Sequence, residues 1–345
     1  MKRRSLMQRA GLFALAITGS IVFAACSSSN DTSETASENQ KPLEVEEIKF
    51  GIISTESQAN QKPLWEPFIK DMEKQIGVPV KPFYVTQYAG VIEAMKAGDV
   101  QIAWYGGKSY VEAAKRSNAE VFAQTVNDDG SKGYVSHLIV NKNNPIAAEA
   151  KALGENKGDE YVVENSEKLT FAFNDPNSTS GFLVPSFYVF AKNAVNPKEA
   201  FKRLIFSGSH EATALAVANN QVDVATNNSE SLSRLEKTNP EARKNIEVIW
   251  TSELIPSDPI AYRKDLPEEL KTKIKDFFHN YKNKEVLKPL EWQGFVPAED
   301  KTWDTIRELE IAKKMAEVES DKELSEEDRA KELEELENQI EAIKK

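Results

Sequence analysis

The sequence predicts an α/β fold of two similar lobes, with a cleft between them and a helical tail at the C-terminus. From about residue 46 onward, short apolar runs alternate with amphipathic stretches, which is the pattern of parallel sheets covered by helices. The same order of segments recurs about 121 residues later. A chain of 345 residues is long enough for two domains of ordinary size.

The first lobe is predicted to begin with a buried strand at residues 48–54, because this apolar run is bounded by polar residues. A helix follows, whose apolar residues recur every four positions up to Ile76. A second helix over residues 88–97 is predicted to end at Gly98, the usual type of C-terminal stop. A strand over residues 100–104 comes next.

The second lobe repeats this plan. A strand at residues 169–173 is followed by a polar loop and by a helical stretch over residues 181–192, and a later strand covers residues 222–225. Residues 94–103 can be laid over residues 216–225 with small and apolar positions in register. The shared order and spacing favour two related lobes over a chance match.

Two segments, residues 133–140 and 248–256, are predicted to link the lobes and to serve as a hinge. Residues 45–134 and 251–300 are therefore assigned to lobe 1, and residues 135–250 to lobe 2. Since ligands of open α/β sheets lie at the carboxyl ends of strands, the cleft between the lobes is the expected binding site.

The N-terminus has the pattern of a secretory signal over residues 1–25, with four basic residues before an apolar run. The only cysteine, Cys26, directly follows two alanines, as in a bacterial lipobox, and is the predicted lipidation site. Residues 26–44 are polar and predict a flexible tether. No later segment has the ~20 apolar residues that span a membrane, so a lipid anchor on the extracytoplasmic face is expected. The alternative is a plain signal peptide before an incidental cysteine.

The composition excludes several functions. The net charge is −11, from 44 basic and 55 acidic side chains, and it disfavours nucleic-acid binding through a basic face. Without the four basic residues of the signal, 40 basic against 55 acidic residues leave a net charge of −15. One cysteine and three scattered histidines provide neither a disulfide framework nor a metal-ligand spacing, so no cofactor or metal is predicted.

The loop at residues 174–181 is a candidate anion site. It connects a strand end to a helix start, where backbone N–H groups lack intrahelical partners and the helix dipole is positive. Ser178, Thr179 and Ser180 add three hydroxyl donors, and Gly181 allows close backbone approach. An ordinary N-cap made from serine and asparagine explains the same residues, so the pattern alone leaves both interpretations open.

The tail, residues 301–345, is rich in Glu, Lys and Leu and predicts two amphipathic helices, the second capped by Ser325. Its seam, Leu333, Leu336, Ile340 and Ile343, extends over barely two heptads, which is too short to be stable alone. A helical hairpin packed on its own lobe is favoured, and a homodimer contact through these helices is the alternative.

Several dispersed motifs closely resemble the phosphonate-binding proteins of bacterial ABC importers. The resemblance covers residues 46–300 and is carried by residues 50–57, 88–90, 102–106, 121–126, 175–185, 216–219, 222–228 and 258–260. It implies a two-lobed, type II solute-binding fold, a small phosphonate as ligand, and an ABC permease with its ATPase as partners.

The resemblance also implies a ligand site. The phosphonate oxygens are expected at Ser178, Thr179, Ser180, Tyr88 and His210, and the ammonium of 2-aminoethylphosphonate at Tyr134, Glu230 and Asp258. Each residue has a structural alternative, such as packing for the tyrosines, helix capping for His210 or a helix-dipole contact for Glu230. Only their joint match favours binding. Trp104 and Tyr105 are candidates for an aromatic wall around the ethylene chain.

The function expected from these features is a lipid-anchored receptor that captures 2-aminoethylphosphonate and delivers it to an ABC permease. Phosphite, methylphosphonate and phosphate esters are alternative ligands. An enzyme acting on phosphate esters has no Ser-His-Asp or metal spacing in its favour, and the chain lacks the P-loop of nucleotide hydrolases. A structural lipoprotein that uses its tail is a third possibility, and it would bind no small ligand.

Overall fold

The computed structural model describes residues 45–345. The predicted signal peptide, Cys26 and the tether to residue 44 lie outside the described residues. The strands are β1 (Ile48–Ile52), β2 (Val80–Tyr84), β3 (Ile102–Trp104), β4 (Ala119–Asn127), β5 (Gly133–Asn141), β6 (Thr170–Phe173), β7 (Arg203–Phe206), β8 (Val224–Asn228), β9 (Ile246–Pro256), β10 (Pro259–Arg263) and β11 (Trp292–Pro297).

The α-helices alternate with these strands in the order that the sequence predicts. They are α1 (Gln58–Ile76), α2 (Tyr88–Ala97), α3 (Gly107–Arg116), α4 (Pro145–Ala152), α5 (Gly158–Glu164), α6 (Pro197–Ala200), α7 (His210–Ala218), α8 (Ser229–Thr238), α9 (Pro240–Lys244), α10 (Glu268–Asn280), α11 (Lys284–Leu287), α12 (Asp304–Ser320) and α13 (Glu326–Ile343). A further helical stretch has π geometry over Thr179–Leu183 and Ser186–Phe190 and ends in a 3₁₀ turn at Ala191–Asn193.

The strands form two sheets, one in each lobe. The first has the order β11-β4-β10-β3-β1-β2 and the second β7-β6-β8-β5-β9. In each sheet three neighbouring strands are parallel, and the next strand beside them is antiparallel. This antiparallel strand is β10 in the first sheet and β5 in the second. The two sheets therefore repeat one topology, and the predicted two-lobed α/β fold is confirmed.

The two segments predicted to link the lobes lie instead within the sheet of the second lobe. Residues 133–141 and 246–256 pair with each other as β5 and β9 in the second sheet, up to Gly133 opposite Pro256. The chain changes sheets just beyond these paired ends, between β4 and β5 and between β9 and β10. Residues 133–134 and 251–256 thus belong to the second sheet, a correction to the predicted boundary, because the long antiparallel pair continues to its last residues.

Five strands, β2, β4, β7, β10 and β11, have no counterpart in the predicted elements. Of these, β2 and β7 lie at the edge of a sheet, and most of their residues are only half-buried. An edge strand with one neighbour does not need the continuous apolar run by which a central strand is recognised. The first helix also begins earlier than predicted, at Gln58, in the segment assigned to a loop.

The cores of both lobes are rich in aromatic side chains. In the first lobe Phe50, Trp65 and Phe68 pack on one another, with ring centroids 5.4–6.3 Å apart. In the second lobe Phe171 and Phe173 have centroids 4.9 Å apart. These rings lie beneath β1 and β6, so they fix the strand ends from which the polar loops of the cleft start.

The tail forms a helical hairpin, α12 against α13. Ser325 caps α13 as predicted, since its side chain accepts a bond from the Asp328 N–H at 3.1 Å. Leu336 is buried in the hairpin, and Trp303, fully buried, fixes the start of α12 against Tyr110 of α3. Among the described helices none is long and apolar enough to cross a membrane.

Candidate ligand-binding site

One pocket lies between the two sheets, at the carboxyl ends of their central strands. Its lining includes all eight residues expected from the resemblance: Tyr88, Tyr134, Ser178, Thr179, Ser180, His210, Glu230 and Asp258. They come from both lobes and from six separate segments of the chain. The structure therefore brings every predicted ligand-site residue of the described chain to one place.

The anion end of the pocket is the start of the π-helical stretch after β6. Ser178 is its N-cap and accepts a bond from the Gly181 N–H at 3.0 Å. Thr179 Oγ1 accepts from the Lys108 N–H at 2.9 Å, and Ser180 Oγ accepts from Asn228 Nδ2 at 3.1 Å. The three hydroxyls also meet the two tyrosines of the pocket: Ser178 makes a side-chain hydrogen bond with Tyr88, and Thr179 and Ser180 make side-chain hydrogen bonds with Tyr134. Three buried O–H donors and the first-turn N–H groups can thus face an anion.

The ordinary capping interpretation is only part of the explanation for this loop. Ser178 does cap the helix, but Thr179 and Ser180 are no more than 2% exposed and make no cap. Buried hydroxyl donors need hydrogen-bond acceptors as partners. An anionic ligand would be such a partner.

His210 begins α7 and reaches the pocket as a neutral ring. Burial lowers the pKa of His210 to about 3, with a smaller contribution from the positive charge of Arg234. Its Nε2 lies 3.1 Å from Asn228 Nδ2, the same nitrogen that donates to Ser180. With its amide oxygen turned to the ring, Asn174 accepts from His210 Nδ1 at 2.6 Å. His210 is therefore held in a fixed orientation beside the hydroxyl loop.

The two tyrosines remain protonated donors. Burial raises the pKa of Tyr88 well above its ordinary value, and the nearby Asp175 and Asp258 raise it further. Burial likewise raises the pKa of Tyr134, with additions from Asp258 and Glu230. A neutral phenol can donate to a phosphonate oxygen or accept from an ammonium, so each expected role is chemically available.

Two carboxyl groups, those of Glu230 and Asp258, also line the pocket. Burial raises the pKa of Asp258 well above its ordinary value, and the charge of Glu230 raises it further. Burial also raises the pKa of Glu230, although Arg234 opposes that shift. Asp258 Oδ1 is buried and has no hydrogen-bond partner among the described residues. An unpaired buried carboxylate is strongly disfavoured, so this pair is suited to a cationic group.

Six further residues line the pocket and were not among the predicted ligand contacts: Ile53, Thr55, Trp104, Gly106, Asn228 and Arg234. Trp104 is the aromatic wall, and it packs on Trp65 and Trp292 with centroids 5.1 and 5.8 Å away. The other wall candidate, Tyr105, is turned away and donates its hydroxyl to Met95 Sδ at 3.4 Å. Successive residues of β3 point to opposite faces, which separates the two rings.

Trp104 was already a candidate for the aromatic wall, and sequence signals existed for two of the other five residues. Asn228 stands where β8 meets α8, at the N-cap, a position that places an amide beside a helix start. Arg234 follows Glu230 by four residues, so both side chains lie on one face of α8. Nothing in the sequence directs Ile53 or Gly106 to the pocket, because their contacts depend on the approach of the second lobe.

The lobes are closed on each other in this structure. Hydrogen bonds between them surround the pocket at distances of 2.9–3.1 Å: Lys108 N to Thr179 Oγ1, Tyr88 N to Asp175 Oδ2, and His210 N to Thr55 O. Across residues 45–345 no group of three His, Cys, Asp or Glu side chains is arranged to hold a metal ion. The lining of the pocket thus combines buried hydroxyl and phenol donors, two carboxyl groups and the aromatic side chain of Trp104.

A two-lobed fold that encloses such a pocket defines the class, which is a type II solute-binding protein. The sequence model of one family, described as the phosphonate periplasmic substrate-binding protein of an ABC transporter, matches residues 50–303. The chain belongs to this family.

Relatives agree with this assignment. The phosphonates-binding periplasmic protein of Escherichia coli (strain K12) is 48% identical over 302 residues, which are 86% of each chain. The crystal structure of a binding protein component of an ABC phosphonate transporter from Pseudomonas aeruginosa has a TM-score of 0.82 at 46% identity, and it covers 86% of this chain and 96% of that one. A Prochlorococcus marinus (MIT 9301) protein in complex with methylphosphonate has a TM-score of 0.65 at 27% identity, over 76% and 97% of the two chains.

The protein is thus the extracytoplasmic, phosphonate-binding component of an ABC transporter and acts together with a permease. It is a binding protein rather than an enzyme, since the family and its relatives are substrate-binding components of transporters. The expected family is confirmed.

Proposed function

We propose that the ligand is 2-aminoethylphosphonate, captured by closure of the lobes and delivered to the permease. The observation that carries this proposal is that two carboxyl groups, the buried Asp258 and the half-buried Glu230, line the same pocket as the hydroxyl loop. A zwitterion with an anionic head and a cationic tail pairs with both sets of groups at once. Phosphate or phosphite would leave the carboxylates without a cation, at a cost of about 2–5 kcal/mol.

The roles proposed for the eight residues follow from their chemistry. Ser178, Thr179 and Ser180 donate to the phosphonate oxygens, with Tyr88 and His210 beside them. Glu230, Asp258 and the phenol oxygen of Tyr134 receive the three ammonium hydrogens. Charge-assisted hydrogen bonds contribute about 1.5–3 kcal/mol each, which is sufficient for tight binding by a protein of net negative charge.

Calorimetric titration of the mature protein with four ligands tests the proposal. We expect the affinity to be highest for 2-aminoethylphosphonate, lower for methylphosphonate, and lowest for phosphite and phosphate. Equal and weak heats for all four ligands would contradict the assigned specificity.

Methylphosphonate is the second candidate ligand, because the Prochlorococcus marinus relative is described in complex with it. It has the same anionic head but no cationic group, and so the carboxyl pair would stay unpaired. Tighter binding of methylphosphonate than of the amino ligand in the same titration would select this alternative.

We also propose that Cys26 anchors the mature chain to the membrane through a lipid, which would keep the binding lobes close to the permease. The support is the position of this cysteine after an apolar signal-like segment. Metabolic labelling with a fatty-acid analogue tests the proposal: the wild-type chain should incorporate label, and Cys26→Ser should not. Equal labelling of both chains would refute the anchor.

A further inference from the structure

Arg234, which lines the ligand pocket together with Glu230, belongs to an ion pair. Arg234 Nε donates to Glu56 Oε1 at 2.8 Å, and the two side chains are only 11% and 12% exposed. The pair joins the lobes, because Glu56 follows β1 and Arg234 belongs to α8. Both partners are fixed locally, since Arg234 Nη2 donates to Ser231 Oγ at 3.1 Å and the Thr55 hydroxyl donates to Glu56 Oε2.

A second cavity, of about 180 Å³, lies on the other side of this pair. Leu64, Leu235 and Pro289 provide its apolar surface, and Glu56 and Arg234 also line it. Of these residues only Arg234 lines the ligand pocket as well. The two cavities therefore share the Arg234 side chain, which Glu56 holds in place from the second cavity.

The position of Arg234 relates this boundary to the nitrogen of the proposed ligand. Arg234 follows Glu230 by one turn of α8, so both side chains lie on one helix face. With the ammonium at Glu230 and Asp258, a substituent on the nitrogen that points away from the phosphonate meets the ion pair. Opening the pair would leave two poorly solvated charges unpaired, which is strongly disfavoured.

We propose that the Glu56–Arg234 pair sets the size limit of the ligand at its nitrogen, which makes both residues determinants of specificity. Primary aminoalkylphosphonates fit within the wall, and N-alkylated ones are excluded. The cavity behind the pair takes a small N-alkyl group once the Glu56 side chain is shortened. This inference rests on the proposed function, because it requires the ammonium to lie at Glu230 and Asp258.

The pair could instead serve only to hold the lobes closed. A second interlobe contact provides the comparison: Ser233 Oγ donates to Glu291 Oε1 at 2.8 Å, and Ser233 lines neither cavity. A contact that acts only on closure should change the affinities of all ligands by the same factor, because each ligand requires the same closed form. A residue that limits the size of the ligand should instead change the ratio of the affinities for a smaller and a larger ligand.

The experiment measures calorimetric affinities of 2-aminoethylphosphonate and its N-ethyl derivative for four proteins. The wild type should prefer the primary amine, and Glu56→Ala should reduce this preference by about tenfold or more, the effect expected when space for one or two methylene groups is gained. Glu56→Gln retains the shape of the wall and should retain the preference. Ser233→Ala should lower the affinities of both ligands by the same factor.

The outcomes separate this inference from the proposed function. An unchanged affinity ratio in Glu56→Ala, or equal affinities of the wild type for both amines, would contradict the proposed size limit. Neither result would contradict the proposed ligand. Failure of the wild type to bind either amine while it binds methylphosphonate would overturn both. If thermal unfolding shows that Glu56→Ala does not fold, Glu56→Asp keeps the charge, moves the carboxylate back by one methylene and should shift the ratio in the same direction.

Discussion

At the scale of single residues, substitution of Glu230 tests whether its carboxylate binds the ammonium group of the ligand. Removing this carboxylate should weaken 2-aminoethylphosphonate by about 2–4 kcal/mol, roughly 30- to 1,000-fold, because the ammonium then loses a buried counter-charge. Methylphosphonate has no ammonium and should lose little. Calorimetry of Glu230→Ala with both ligands measures the difference.

The matched control for this change is Glu236→Ala, an exposed glutamate on the same helix. It should leave both affinities at the wild-type values. If Glu230→Ala lowers the affinities of both ligands by the same factor, Glu230 does not bind the ammonium group.

The carboxyl group of Asp258 predicts that the affinity for the ligand depends on pH. Burial and the charge of Glu230 raise the pKa of this carboxyl in the closed, ligand-free form, so it retains its proton to a higher pH than an ordinary aspartate. The protonated form stabilises the closed state, and that stabilisation is lost as the pH rises through the raised pKa. An ammonium beside the carboxylate reverses the shift. Binding of 2-aminoethylphosphonate should therefore release protons, and its affinity should increase as the pH rises toward the raised pKa of Asp258.

Titrations in buffers of different ionisation enthalpy measure the number of protons released. The contribution of Asp258 should disappear in Asp258→Asn, whereas His210, neutral because its pKa is lowered to about 3, should contribute nothing above that value. The same proton release by wild type and Asp258→Asn would show that this carboxyl is already ionised before binding.

At the scale of elements, the loop after β6 depends on the absence of a side chain at Gly181. A Cβ there would overlap the side chain of Asn174, which is fully buried between Thr226 and His210. Gly181→Ala should therefore destabilise the fold by about 1–3 kcal/mol and displace the hydroxyl loop. The midpoint of thermal unfolding should decrease.

The ligand comparison distinguishes this element from the carboxyl end. Because the loop holds the phosphonate head common to both ligands, Gly181→Ala should weaken 2-aminoethylphosphonate and methylphosphonate by similar factors, unlike Glu230→Ala. Wild-type stability together with wild-type affinities would mean that Asn174 moves aside without cost.

At the scale of the whole molecule, the tail is predicted to pack within its own chain. The hairpin buries Leu336 between α12 and α13, so the apolar seam is already partly covered. Sedimentation of the mature protein should show a monomer. Leu336→Glu should lower the unfolding temperature without a change in sedimentation or ligand affinity. A dimer that Leu336→Glu dissociates would support the homodimer alternative.

Much of the fold could be predicted because local patterns and global structure agree. The apolar runs of β1, β3, β6 and β8 belong to central strands, whose burial on both faces requires such runs. The stop at Gly98 is also confirmed: this residue has the left-handed conformation with φ of 87°. The edge strands β2 and β7 and the shared sheet of β5 and β9 could not be predicted, since strand pairing is a relation between distant segments.

The sequence by itself determined the repeated α/β plan, the helix start with three hydroxyls, the capped tail helices and the eight residues that meet in the pocket. Only the tertiary structure decided which side chains complete the site. Asn228 joins His210 to Ser180, Trp104 rather than Tyr105 forms the wall, and Glu56 meets Arg234 across the lobes. The physical reason is that helix starts and periodicities are local, whereas the burial and charge of a cleft exist only where two lobes close on each other.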